Sequence, residues 1–307
     1  MILYQRKNND TAPVSQPDPY MIKDGDRYYM YTTGGWCFSS NQLKTGWEFL
    51  GKCLDVSGQK NIWAPAVIKI DGEYFMYYSS INESENDDHK QTLRVAVSKK
   101  AEGPFREVRK ILPPFSIDAH VVKNDNGLFI FYSTNDYSAA RPGTYIACDK
   151  MLDPYTVEGN PKAVVVPSID EEIFMRNRFA PGQDWHTIEG AFYFYHEGIH
   201  FLMYSGACYQ NPTYFIGYSI AYGEEHTDLR KLEWKKYPSP NEYHPLMKSC
   251  DKAEGVGHNS VVFDGGKCYV VYHGRTPGVD NSDGLDHRIA RLDEMTINKE
   301  HLSVTIT

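Results

Sequence analysis

A chain of 307 residues, 41% hydrophobic and 14% aromatic, can bury a large core as one big β domain or two smaller domains. Its formal net charge of -8 argues against a nucleic-acid partner, which selects basic surfaces, and favours a neutral small ligand. No run approaches the roughly 18 apolar residues of a membrane span, so no membrane partner is expected.

The first residues, MILYQRKNND, turn polar after four and lack the apolar core of a secretory signal, which predicts a cytoplasmic protein. Cys37, Cys53, Cys148, Cys208, Cys250 and Cys268 are scattered without a CxxC pair and read as reduced, small hydrophobes. From residue 22 onward a glycine-containing turn followed by an aromatic strand recurs five times: 22-IKDGDRYYMYTT-33, 68-IKIDGEYFMYYSS-80, 122-VKNDNGLFIFYST-134, 194-FYHEGIHFLMYSG-206 and 262-VFDGGKCYVVYHG-274. Tyr31, Tyr78, Tyr204 and Tyr272 fall six residues after the turn glycine, and Tyr132 falls five after. These tyrosines are spaced widely enough for four strands and their loops. The spacing predicts an all-β fold, a five-bladed β-propeller, as a single domain over residues 1–307. The segment 224-EEHTDLRKLEWKK-236 reads equally as a helix or an edge strand. The chain carries no signal for oligomeric state.

A propeller gathers the starts of its inner strands around an axis, so the residues just upstream of each hairpin can converge. These stretches are 16-QPDPY-20, 61-NIWAPAV-67, 116-SIDAHVV-122, 187-TIEGAFY-193 and 255-GVGHNSVV-262. Three of them place an acid in what reads as the same register: Asp18, Asp118 and Glu189. Singly, Asp18 before Pro19 would cap a turn and Glu189 would sit on the surface. Three acids facing one axis are costly unless chemistry requires them. Glycosidic bond cleavage does require them: a carboxylic acid protonates the leaving oxygen, a carboxylate activates water, and a third group can keep the acid protonated.

These segments, with 288-RIARLDEM-295, resemble glycoside hydrolase family 43, the five-bladed enzymes acting on arabinose- and xylose-containing glycans. The resemblance implies inversion, with Asp18 as general base, Asp118 tuning pKa and orientation, and Glu189 as general acid beside Gly190, which permits close approach. It offers Trp63 as a sugar-stacking aromatic, with packing between two blades as the competing account. It places Trp36 and Phe38, after the Gly34-Gly35 pair, where the family walls its first subsite, although burial without function is the reading the residues favour. Arg288 falls in a GRxxRL-like segment, where His287 replaces the usual glycine, and would bind a sugar hydroxyl or fix the acid. His120 falls near the tuning acid, and the stretch 170–191, with Arg176, Arg178, Asp184, Trp185 and His186, is expected to shape the pocket rim.

His258 and His273 raise the question of a metal. Some family members hold an axial ion through a histidine near His258, so the resemblance allows a structural calcium or sodium ion there. No cofactor or catalytic metal is expected, because histidines fifteen apart lack zinc spacing and calcium prefers oxygen. His258 reads equally as a hydrogen-bonding residue of the substrate pocket. The expected partner is an oligosaccharide and the expected activity exo-acting α-L-arabinofuranosidase, since a cytoplasmic enzyme meets short imported glycans. A β-xylosidase and a non-catalytic carbohydrate-binding propeller are the alternatives. A mannoside phosphorylase would need a basic cluster for phosphate, and a fructan hydrolase a Pro-Asn-Gly after its aspartate; neither is present.

Overall fold

The computed structural model describes residues 1–6, 10–279 and 285–307. Each of the five repeats is an antiparallel hairpin that seeds one blade. Blade one holds β1 (Tyr20–Asp24), β2 (Arg27–Thr32), β3 (Trp36–Ser40) and β4 (Glu48–Lys52). Blade two holds β5 (Leu54–Asp55), β6 (Gln59–Ile70), β7 (Glu73–Asn82), β8 (Thr92–Ser98) and β9 (Phe105–Lys110). Blade three is built on β10 (Ile117–Asn124), β11 (Gly127–Asp136) and β12 (Gly143–Asp153), edged by β13 (Thr156–Val157) and β14 (Lys162–Val165). A short β15 (Ile173–Met175) leads into blade four, with β16 (Trp185–His196), β17 (Ile199–Gly206), β18 (Phe215–Tyr222) and β19 (Lys235–Lys236). Blade five holds β20 (Glu254–Asp264), β21 (Lys267–Arg275), β22 (Ile289–Asn298) and β23 (His301–Val304).

The inner strands touch in a closed ring: β1 on β6, β6 on β10, β10 on β16, β16 on β20 and β20 on β1. Five apolar clusters fill the spaces between neighbouring blades. The cluster of Met30, Phe38, Val271 and Leu292 joins blade five back to blade one. Strand alternation explains this layering, since each sheet buries side chains on both faces against its neighbours. Five of the six cysteines are buried, Cys250 is exposed, and none is in a disulfide. Among the described residues no helix is long and apolar enough to cross a membrane. The segment 224–236 forms a single helical turn, Leu229–Lys231, and then the edge strand β19 against Ser219 and Ile220.

Every inner strand breaks register at the same place. Trp63 faces Ser79 but Ala66 faces Tyr77; Ile117 faces Ser133 but His120 faces Phe131. Glu189 faces Ser205 but Phe192 faces Met203; Gly257 faces His273 but Ser260 faces Val271. In blade one Pro17 O accepts from Thr33 N–H at 3.1 Å, and Tyr20 faces Tyr31. Each is a bulge with one extra residue on the inner strand, a device that re-aims side chains. Its first residue is left-handed every time: Asp18 (φ 56), Ala64 (φ 43), Asp118 (φ 56), Gly190 (φ 65) and His258 (φ 46). Four of the five are not glycine, so backbone strain is concentrated around the axis.

This register corrects two sequence expectations. Asp18 and Asp118 are equivalent, but Glu189 lies one residue upstream, at the position of Trp63, Ile117 and Gly257. The left-handed position of blade four is Gly190, where a Cβ would crowd the His258 ring at 3.2 Å. The tyrosine that breaks the pattern is also not Tyr132. Tyr78, Tyr132, Tyr204 and Tyr272 are equivalent, and blade one places Thr32 there, with Tyr31 one step early. Counting from the glycine misleads because Gly25 opens its turn, Gly72 closes one, and Gly127 already belongs to its strand.

Candidate active site

The bulges bring Asp18, Asp118 and Glu189 to one axial pocket of about 120 Å³, together with Trp63, His258 and Arg288. Six of the seven residues expected at the site from sequence therefore converge. Trp36 does not. It opens β3, away from the inner strands, and packs on Phe49 with ring centroids 5.8 Å apart. Phe38 is fully buried between Tyr4 and Phe49. His120 is likewise turned away from Asp118: its ring meets Tyr20 Oη at 3.1 Å and the Tyr193 carbonyl at 3.3 Å. The bulge explains this, because residues two apart no longer point the same way across it.

Asp18 is the most heavily bonded of the acids. Its Oδ2 accepts from the Thr33 hydroxyl at 2.6 Å, and that hydroxyl in turn accepts from Ala64 N–H at 2.9 Å, tying blade one to the bulge of blade two. Its N–H donates to His273 Nδ1 at 3.1 Å, which leaves the His273 proton on Nε2. Its Oδ1 lies 3.4 Å from Arg288 Nη1 and 3.4 Å from His258 Nδ1. Burial by itself would raise the pKa of Asp18, but the Arg288 guanidinium, the strongest of the opposing influences, holds the carboxyl well below the usual range. Burial also depresses both imidazoles, His273 to about 4, so at neutral pH they are uncharged. The guanidinium is then the charge that keeps Asp18 ionised.

Arg288 is itself fixed. Its Nε and Nη2 bond the Asp286 carboxylate at 3.0 and 2.7 Å, and Tyr209 lies over the guanidinium at 4.4 Å. Such a bidentate pair sets the orientation as well as the charge.

Glu189 has the opposite environment. Burial pushes its pKa up to about 7, and the Asp18 charge adds to this; a hydrogen bond from Tyr214 Oη to Oε1, 2.8 Å, and the more distant Arg288 oppose it. Asp118, buried between the other two, is raised well above the carboxylate range by burial and then by the charges of Glu189 and Asp18. Its Oδ2 accepts from Gly190 N–H at 3.2 Å and lies 3.9 Å from His258 Nδ1. One carboxylate held ionised and one held protonated near neutrality in a single pocket form an acid–base pair.

Thr33, Tyr209 and Tyr214 were missed by sequence reasoning. One signal for Tyr214 existed in 255-GVGH-258: a Cβ on Gly257 would lie 1.8 Å from the Tyr214 ring. Tyr214 also stacks flat on His273, centroids 5.7 Å apart. Among the described residues no group of three or more His, Cys, Asp or Glu is placed to hold a metal ion.

The family described as Glycosyl hydrolases family 43 matches residues 8–302. The chain is similar to the extracellular exo-α-(1→5)-L-arabinofuranosidase of Streptomyces avermitilis, 25% identical over 94% of this chain, and spans 62% of that relative's length. Among solved structures it is similar to a thermostable family-43 glycoside hydrolase, with 29% identity, a TM-score of 0.77, and coverage of 94% of this chain and 92% of the other. It also shares its fold with the α-L-arabinofuranosidase from Lactobacillus brevis, at 22% identity, a TM-score of 0.76, and coverage of 95% and 94%.

Proposed function

Because the chain belongs to glycosyl hydrolase family 43, we propose that it is an exo-acting, inverting α-L-arabinofuranosidase that releases terminal arabinose from arabino- or arabinoxylo-oligosaccharides. The observation that carries this reading is the opposed surroundings of Asp18 and Glu189 in one pocket: Arg288 Nη1 lies 3.4 Å from the Asp18 carboxylate, whereas Glu189 is buried with the Tyr214 hydroxyl on its Oε1. Asp18, ionised, takes a proton from water as that water attacks the anomeric carbon. Glu189, protonated near neutral pH, gives its proton to the departing glycosidic oxygen. Asp118 acts through Gly190, whose N–H it binds, and so positions the peptide that carries Glu189. Trp63 offers a flat apolar face to the sugar ring. No cofactor enters any step.

The cavity of about 120 Å³ supports exo action, being well under the roughly 300–1,000 Å³ of pockets that enclose larger ligands. The name of the Streptomyces avermitilis relative supports arabinose over xylose.

The test is hydrolysis of 4-nitrophenyl α-L-arabinofuranoside beside 4-nitrophenyl β-D-xyloside, with Asp18→Asn as control. Preference for the arabinoside, lost in the variant, is expected. Preference for the xyloside would keep the mechanism and replace the substrate by that of a β-xylosidase. Turnover of neither would turn the reading towards a carbohydrate-binding propeller or towards a sugar other than these two.

A further inference from the structure

Outside the catalytic pocket, at the same end of the blades, two loops enclose a second cavity of about 660 Å³. One loop, 137–142, joins β11 to β12; the other, 170–184, runs into β16 and so towards Glu189. Tyr137 and Phe179 stand 60% and 57% exposed, with ring centroids 6.3 Å apart. Both rest on the buried Trp185, at 5.0 and 5.6 Å. The Arg178 guanidinium lies 5.6 Å over both Phe179 and Trp185, and it also reaches His89 of blade two at 3.2 Å. Two solvent-facing rings are thus held in place by a buried tryptophan and a cation that bridges blades.

The polar wall is built of compensated charges. Arg141 Nη1 bonds Asp170 at 2.6 Å and meets His186 Nε2 at 3.1 Å, and Asp184 is paired with Arg176 at 2.9 Å. Aromatic faces beside a neutral hydrogen-bonding wall suit a ring that is apolar on its face and hydroxylated at its edge. A neutral sugar has that chemistry.

We infer that this cavity is a remote glycan subsite, which holds sugar units of the substrate beyond those at the scissile bond. The inference rests on the glycosidase reading for the identity of the ligand. Trp185 and Glu189 are four residues apart on one strand, about 13 Å at the usual rise, a distance that a short oligosaccharide bridges. The catalytic pocket then reads the terminal sugar and the platform reads the length of the chain. Tyr137, Phe179 and Arg141 become determinants of specificity.

The test uses the double variant Tyr137→Ala/Phe179→Ala, whose exposed rings can be removed without opening a core. In an Asp18→Asn background, calorimetric binding of arabinohexaose and xylohexaose is measured with and without the double variant. In the active protein, the ratio of kcat/KM on the preferred hexasaccharide to that on the 4-nitrophenyl glycoside is measured. Loss of the two rings is expected to weaken hexasaccharide binding, and to lower that ratio, about ten-fold. An unchanged affinity, an unchanged ratio, or no binding of either hexasaccharide to the Asp18→Asn protein would overturn the subsite. Ring-dependent hexasaccharide binding in a protein that hydrolyses neither aryl glycoside would overturn the arabinofuranosidase reading and leave the subsite standing.

Discussion

Asp118 Oδ2 accepts a hydrogen bond from the N–H of Gly190 at 3.2 Å, so one acid of the pocket holds the peptide that carries another. Gly190 sits at φ 65 and follows Glu189 directly. The bond crosses from blade three to blade four and sets where the Glu189 carboxyl lies. Asp118 is thereby a positioning residue with a checkable signature. Asp118→Asn keeps an amide oxygen to receive that N–H and is expected to retain kcat within about ten-fold. Asp118→Ala leaves the N–H unpaired and is expected to lose roughly 10²-fold or more, the scale of a small misplacement. Single-turnover rates of the two variants decide this, and equal losses would assign Asp118 a role through its proton instead.

The second prediction concerns the hydrogen bond from Tyr214 to Glu189. It favours the ionised form of Glu189 and so opposes the rise caused by burial. Tyr214→Phe removes that brake, and the Glu189 pKa should climb above about 7. As the acid must be protonated to work, the alkaline limb of kcat/KM should move to higher pH, by about one unit for a bond of roughly 1.5 kcal/mol. A limb that moves to lower pH would contradict the assignment of Glu189 as the acid.

Trp63 and Trp36, which look alike in the sequence, are expected to separate cleanly. Trp63 lines the pocket, whereas Trp36 packs on Phe49 in blade one. Trp63→Ala should raise KM about ten-fold with a modest change in melting temperature. Trp36→Ala should lower the melting temperature, with a loss of about 2–4 kcal/mol, and leave KM near its original value. Thermal unfolding and steady-state kinetics on both variants check this.

The contrast between those tryptophans shows which features were legible. The five hairpins were readable because a turn glycine and a run of aromatics is a local signal, and local signals survive in one dimension. Asp18 and Asp118 were readable because each opens a recognisable hairpin. Trp36 could be placed at a subsite only by resemblance; a Cβ on Gly34 would lie 2.2 Å from the Trp36 ring, so the glycine leaves room for the burial that the sequence favoured. Tyr214 and Tyr209 were hidden among 23 tyrosines, and only the fold distinguishes those that face the axis. The upstream shift of Glu189 was hidden for a related reason: the bulge that sets register is made by backbone angles, and Asp18, Ala64, Asp118, Gly190 and His258 have no one side-chain type in common.

Glu189 supplies the last prediction, which sets function against stability. Its pKa in the folded chain is raised from the ordinary 4.5 to about 7. For a raised pKa the sign is fixed: its favourable contribution is fully present below pH 4.5 and is lost as pH rises to about 7, because the unfolded chain releases the proton first. At pH 8 the buried carboxylate should therefore weigh against the fold by on the order of 3 kcal/mol. Glu189→Gln replaces it with a neutral group of the same shape. The variant should melt higher than the parent at pH 8 and nearly level with it at pH 5, while losing activity on poor leaving groups far more than on 4-nitrophenyl glycosides, which need little protonation. Melting curves at the two pH values and rates on the two substrate classes are independent readouts of the same carboxyl. A variant that is destabilised equally at both pH values would mean that the carboxyl is ionised and well paired in the folded protein, and Glu189 could not then be the acid.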